Sequence, residues 1–229
     1  MKIFNSLTSK KENFKPKIKN EVGIYICGLT PYDDVHIGHA RTFINFDVIV
    51  KFFKFLGFKV RYIRNITDVD DKIINSANEE GISALDFSKK YISEMQNDFL
   101  SLGIESPDVE PKVSDHIDEI ISMIQSLEDK GYAYRKNDSD VFFDVKKYKE
   151  YGKLANRTLE QLSASERTIP NFNKNHEADF VLWKVDTDGI TWSSPWGKGR
   201  PGWHIECSAM SIKYLGSEFD IHGGGLDLK

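Results

Sequence analysis

Cysteine is almost missing: the 229 residues contain only Cys27 and Cys207, near opposite ends of the chain. One pair cannot supply a disulfide framework, and a thiol pair of this kind is expected to be reduced or metal-bound. Long apolar runs are missing too. No stretch approaches the roughly 18 residues of a membrane span, and the N-terminus MKIFNSLTSKKENF lacks the apolar segment of a signal peptide. A cytoplasmic protein without a membrane partner is expected. Neither sign of charge dominates, with 31 Lys+Arg against 35 Asp+Glu and a net charge of -4. That balance excludes holding nucleic acid by bulk positive charge. The local cluster Lys10, Lys11, Lys15, Lys17 and Lys19 reads as a solvated face, with a basic patch as the alternative. No internal repeat or low-complexity segment appears. With 40% hydrophobic residues, a chain of this size can bury about 70% of its unfolded surface, enough for one large or two small cores.

The apolar run Val22 to Cys27, between Gly23 and Gly28, reads as a buried strand entering a turn. From His36 to Leu56 apolar residues recur at helical spacing (Ile37, Phe43, Ile44, Val48, Ile49, Phe52, Phe53, Leu56), and Gly57 sits where a helix ends. Phe58 to Ile63 alternates as a strand does. Strand, helix and strand in about 45 residues make the βαβ unit of a parallel sheet covered by helices. Asp68, Asp70 and Asp71 open a helix ending near Gly81, and Ser83 with Asp86 marks a capping box for a helix running to Leu102 and closed by Gly103. After Pro107 and Pro111 the rhythm changes. A helix is expected over 114–130, a hairpin over 132–145 turning through Asn137 to Asp140, and irregular structure from Lys146 to Asn175. All four tryptophans, Trp183, Trp192, Trp196 and Trp203, then crowd around the loop Gly197-Lys-Gly-Arg-Pro-Gly202. The chain closes on Ile221-His-Gly-Gly-Gly-Leu-Asp-Leu-Lys229, which reads as a turn opening into more structure.

The most specific string is Thr30-Pro-Tyr-Asp-Asp-Val-His-Ile-Gly-His-Ala-Arg41, between the first strand and first helix, where open α/β sheets bind ligands. His36 and His39, at i and i+3, share one side of the first helical turn. The helix N-terminus adds N–H donors and partial positive charge, which suits phosphate. Gly38 between them lets a flat ring or a phosphate approach the backbone. The plainer alternatives are two surface histidines, or a metal pair lacking a third ligand on the same helix. Cys27 ends the first strand, and Cys207 lies where another helix starts. Each could be a small core hydrophobe or a metal ligand, and spacing alone suggests His204 as their partner. Asp68, Asp70 and Asp71 could hold magnesium, but acids in a first turn are the simpler account.

Five blocks in order carry a resemblance. Tyr25-Ile-Cys-Gly-Leu-Thr-Pro-Tyr-Asp-Asp-Val-His-Ile-Gly-His-Ala-Arg-Thr-Phe43, Tyr62-Ile-Arg-Asn-Ile-Thr-Asp-Val-Asp-Asp-Lys72, Asp179-Phe-Val-Leu-Trp-Lys184, Pro201-Gly-Trp-His-Ile-Glu-Cys-Ser-Ala-Met210 and Phe219-Asp-Ile-His-Gly-Gly-Gly225 resemble the cysteinyl-tRNA synthetase family of class I aminoacyl-tRNA synthetases. The resemblance implies an α/β, Rossmann-like nucleotide-binding fold with a parallel sheet, interrupted by an inserted α+β connective-peptide domain. The expected division is 1–111 and 200–229 for the catalytic domain, the latter part incomplete, and 112–199 for the insert. The implied activity is ATP-dependent formation of cysteinyl-adenylate and transfer to tRNA(Cys) by a monomer. Its implied partners are tRNA(Cys), ATP with Mg2+, and L-cysteine. His36 and His39 would be catalytic, and Thr30, His36, Gly38 and His39 would bind ATP.

By the same resemblance Thr67, Trp203, His222 and Asp227 surround the amino acid, and Cys27 and Cys207 bind one Zn2+. The remaining His and Glu ligands would follow residue 229. Plainer roles stand beside these: Thr67 as a helix N-cap, Trp203 as core, His222 as a turn residue. Zinc makes physical sense, because a pocket rejects an isostere only modestly whereas a soft metal separates sulfur from serine's oxygen. The family's Lys-Met-Ser-Lys-Ser loop does not occur in these residues, so the 229 residues alone are expected to be inactive in aminoacylation. Two alternatives remain: the cysteine ligase of mycothiol biosynthesis, with an amino-sugar acceptor, and a non-catalytic fragment that binds nucleotide or tRNA.

Overall fold

The computed structural model describes residues 1–137, 139–163, 173–202 and 204–225. A short antiparallel hairpin, β1 (Lys2–Asn5) and β2 (Lys10–Asn13), precedes β3 (Glu21–Ile26). Helix α1 (Ile37–Phe55) returns the chain to β4 (Lys59–Arg64), parallel to β3, as the βαβ reading requires. Helices α2 (Asp71–Glu80) and α3 (Ala84–Ser101) follow, each closed by the expected glycine in left-handed geometry: Gly81 at φ 69° and Gly103 at φ 68°. Ser83 caps α3 by accepting from the Asp86 amide, but Asp86 bonds back to the Ser83 hydroxyl.

After a 3₁₀ turn at Val113–Asp115, helix α4 spans Ile117–Asp129, so the expected helix over 114–130 begins about three residues late. The four-stranded antiparallel sheet is β5 (Ala133–Arg135), β6 (Val141–Phe143), β7 (Phe180–Val185) and β8 (Gly199–Pro201). A short helix, α5 (Leu159–Ser163), lies in the stretch expected to be irregular. The supposed loop Gly197 to Gly202 therefore contains a strand, because Lys184 pairs with Arg200 across β7 and β8. The anticipated restart of the catalytic domain at Arg200 falls inside that strand. Helix α6 (Ile205–Leu215) then leads to β9 (Ile221–Gly223), which joins the other edge of β3 in parallel.

The parallel sheet runs β4-β3-β9, with β3 in the middle. Period-two alternation sends successive β3 side chains to opposite faces. Val22, Ile24 and Ile26 pack with Phe43, Val50 and Phe53 of α1 and with Ile92, Met95 and Phe99 of α3. Tyr25 and Cys27 face the other way, into a core with Ile120 and Ile124 of α4, Trp183 of β7 and Cys207 and Met210 of α6. This alternation aims Cys27 at α6. On α1 the buried stripe is Ala40, Phe43, Asp47, Val50 and Phe53. Ile37, Ile44, Val48, Phe52 and Leu56, grouped with it by sequence, are exposed. No helix among the described residues is long and apolar enough to cross a membrane.

Candidate functional site

The site lies at the carboxyl end of β3, where the chain leaves the sheet through Cys27 and Gly28. Gly28 is required by close approach: a Cβ there would lie 1.5 Å from the Asn65 carbonyl oxygen at the end of β4. With the backbones this near, the Gly28 amide donates to Asn65 Oδ1 at 2.9 Å, and Asn65 Nδ2 donates to Thr67 Oγ1 at 3.1 Å. The Thr67 amide donates to the Leu29 carbonyl. Thr67 is thus a buried joint between two strand ends; the N-cap of α2 is Asp70.

Helix α1 begins on the two histidines. His36 is the N-cap, its Nδ1 accepting from the Gly38 amide at 3.1 Å, while His39 Nδ1 accepts from the His36 amide at 3.4 Å. The rings stack with centroids 3.7 Å apart. A Cβ on Gly38 would meet His36 Cε1 at 2.9 Å, so the ring that Gly38 admits is that of His36. Burial, then the charges of His36 and Lys72, holds His39 below the ordinary histidine range. Thr30 lies on the approach to this turn and accepts from the Tyr32 amide through its carbonyl.

Cys27 and Cys207 meet across the core with sulfurs 3.4 Å apart, and they form no disulfide. His204 Nδ1 lies 4.0 Å from Cys27 Sγ, and the three donor atoms fall within 4.8 Å of one another. Tetrahedral zinc with Zn–S near 2.3 Å separates two sulfurs by about 3.8 Å, so this donor set fits such an ion. His204, the partner suggested by spacing alone, lies within reach of both cysteines; the His and Glu implied by the resemblance would follow residue 229. His204 holds a left-handed backbone, φ 78°, at the start of α6, a conformation that costs a non-glycine residue energy. The Cys207 thiol is pushed well up by its hydrogen bond with Cys27, by burial and by nearby Glu206. Glu206 is buried, with Oε2 lacking a partner among the described residues, and burial pushes its carboxyl up to about 7.

The other named residues scatter or join. His222, on β9, pairs with Tyr25 across the sheet, their rings 5.2 Å apart. Burial and His204 lower its pKa. Trp203 and Asp227 lie outside the described residues. The acidic cluster is not a magnesium site among the described residues, because its members go three ways: Asp68 accepts from Ser114, Asp70 caps α2, and Asp71 takes Lys184 and Arg200. Sequence reasoning gives Asn65 and Glu206 no functional role. The signal for Asn65 is a carboxamide set at the end of the alternating strand β4.

The chain matches the family described as tRNA synthetases class I (C) catalytic domain over residues 13–229. It is 53% identical over its whole length to the cysteine–tRNA ligase of Actinobacillus succinogenes and 54% identical to that of a Marinomonas species. It spans about half the length of these relatives, 50% of each. Among solved structures it resembles a methionyl-tRNA synthetase of Mycobacterium tuberculosis in complex with methionyl-adenylate, with TM-score 0.69 and 14% identity over 91% of this chain and 52% of that one. A second structure, of that synthetase bound by methionyl-adenylate, gives TM-score 0.64 and 14% identity over 86% and 47%. At such identity the likeness concerns the fold.

Proposed function

From a chain that belongs to the class I tRNA synthetase family of cysteine–tRNA ligases, we propose the catalytic region of an enzyme that activates L-cysteine with ATP and transfers it to tRNA(Cys). The observation that carries this reading is the meeting of Cys27, His204 and Cys207 at the carboxyl end of a parallel sheet, on the strand that leads into the helix start bearing His36 and His39. Cys27 and Cys207 would hold zinc, with a His and a Glu after residue 229 completing the set and His204 the neighbouring donor among the described residues; the metal would supply a soft site that cysteine sulfur fits and serine oxygen does not.

The reaction in this reading is attack of the cysteine carboxylate on the α-phosphate of ATP, releasing pyrophosphate, and then attack of a terminal ribose hydroxyl of the tRNA on the adenylate's carbonyl, releasing AMP. No protein nucleophile is needed, so the residues work by positioning and charge. His36, His39 and the amides of the first α1 turn would receive the nucleotide, with Thr30 and Gly38 shaping the approach. Thr67 and His222, with Trp203 and Asp227, would surround the amino acid. We assign 1–111 and 200–229 to the catalytic domain and 112–199 to an insert that helps hold the acceptor end. A cytoplasmic monomer using ATP with Mg2+ belongs to the same proposal.

The test is ATP–pyrophosphate exchange by the complete gene product, with cysteine or serine and with the metal content measured. Exchange should need cysteine and fall with metal removal and in Cys27→Ala and Cys207→Ala. Equal exchange with serine, or full exchange by metal-free protein, overturns the proposal.

A further inference from the structure

We infer that Asn65 is the positioning residue that brings Cys27 and Cys207 into register for metal binding. Its carboxamide is buried, with 1% exposure, and reaches three places at once. Oδ1 accepts from the Gly28 amide at 2.9 Å, fixing the peptide that follows Cys27. The same oxygen lies 3.6 Å from Cys207 Sγ, on α6. The Gly28 N–H can only donate, which fixes the orientation of the amide: the oxygen faces Gly28, and Nδ2 donates to Thr67 Oγ1 at 3.1 Å.

Cys27 and Cys207 come from elements far apart in sequence, and among the described residues no backbone hydrogen bond ties the Cys27 turn directly to α6. The Asn65 carboxamide supplies the link through a strand between them in the chain. A metal held by Cys207 would displace the thiol proton to solvent and with it the bond to Oδ1, while the Gly28 and Thr67 bonds would remain. The anchored group is therefore the Cys27–Gly28 peptide, whose placement does not depend on the Cys207 proton. Groups that orient ligands without touching the metal are worth about 10–100-fold in metal affinity.

This inference rests on the metal reading above. Its test uses Co2+ as the probe on the complete gene product, following sulfur-to-cobalt charge-transfer bands and competition with a chelating dye. Asn65→Ala should bind Co2+ about 10–100-fold more weakly, with the same bands at saturation. Asn65→Asp keeps an acceptor for the Gly28 amide and should recover most of the affinity. It also stands in if Asn65→Ala does not fold. Affinity within twofold of wild type in Asn65→Ala, or Asn65→Asp as weak as Asn65→Ala, overturns the inference alone. Absence of the bands in the wild-type protein overturns the metal reading and the inference together.

Discussion

Single residues set the chemistry of the site through close approaches. At Gly38 two small effects oppose each other. Alanine in place of glycine in a helix gains about 0.5–1 kcal/mol, while displacing the His36 ring sacrifices an N-cap bond worth about 1 kcal/mol. Gly38→Ala should therefore leave the melting temperature nearly unchanged yet weaken ATP binding, because the added Cβ would meet the His36 ring at 2.9 Å. Calorimetric titration with ATP beside a thermal melt checks this, and unaltered ATP affinity would count against the stacked pair as a nucleotide site. His204 presents the opposite trade. Its φ of 78° costs a non-glycine residue about 1–3 kcal/mol, so His204→Gly should hold or raise stability in metal-free buffer. It should also lower zinc affinity in chelator competition. A stabilised variant with unchanged zinc affinity would remove His204 from the donor set.

At the scale of elements, the notable joint is between α2 and the antiparallel sheet. Arg200 of β8 is buried and donates from Nε to Asp71 Oδ1 at 3.1 Å and from Nη1 to Asp186 Oδ2 at 2.8 Å, while Lys184 of β7 donates to Asp71 Oδ2. Burial alone would raise the Asp71 pKa, but these two cations more than offset it and the group sits below the usual carboxylate range. A lowered folded value means the contribution to stability is present above the unfolded carboxylate pKa, near 3.9, and is lost as pH falls through the lower folded value. Arg200→Ala should lose roughly 1.5–3 kcal/mol at neutral pH, as expected for hydrogen bonds to charged groups. The gap from wild type should narrow below about pH 4. Urea unfolding at several pH values tests both points, and a gap independent of pH would show that lost packing, not the ion pair, is responsible. Lysine should not restore it, because it lacks the guanidinium fork that serves both carboxylates. Sequence reading placed α1, α2, α3 and the β3–β4 pair closely, since each carries its own period and glycine stop. It missed β8, which has three residues and owes its form to hydrogen bonding with β7.

For the whole molecule, the consequential fact is a shared core. Tyr25, Cys27 and Ile63 of the parallel sheet pack in one cluster with Ile120 of α4, Trp183 of β7 and Met210 of α6. The parallel sheet and the antiparallel one are therefore joined by buried apolar contact, and we expect them to unfold together. Ile120→Ala, at a fully buried position, should cost about 2–5 kcal/mol. It should shift a single transition seen equally by circular dichroism and tryptophan fluorescence. Two separated transitions would show that the units hold independently.

The sequence by itself determined the βαβ order, the helix ends at Gly57, Gly81 and Gly103, and the string His36-Ile-Gly-His39. These depend on local periodicity, on glycine's tolerance of positive φ and on residues close in the chain. It also offered Cys27 and Cys207 as ligands of one metal, with His204 as a partner by spacing. Only the tertiary structure decided the geometry in which the three meet, that the Asn65 side chain bridges Gly28 and Cys207, and that Asp68, Asp70 and Asp71 do not form one site. The physical reason is that β3 alternates: Cys27 shares a face with Tyr25, and α6 packs on that face. Which helix covers a given face is settled by packing over the whole chain, which no local pattern records.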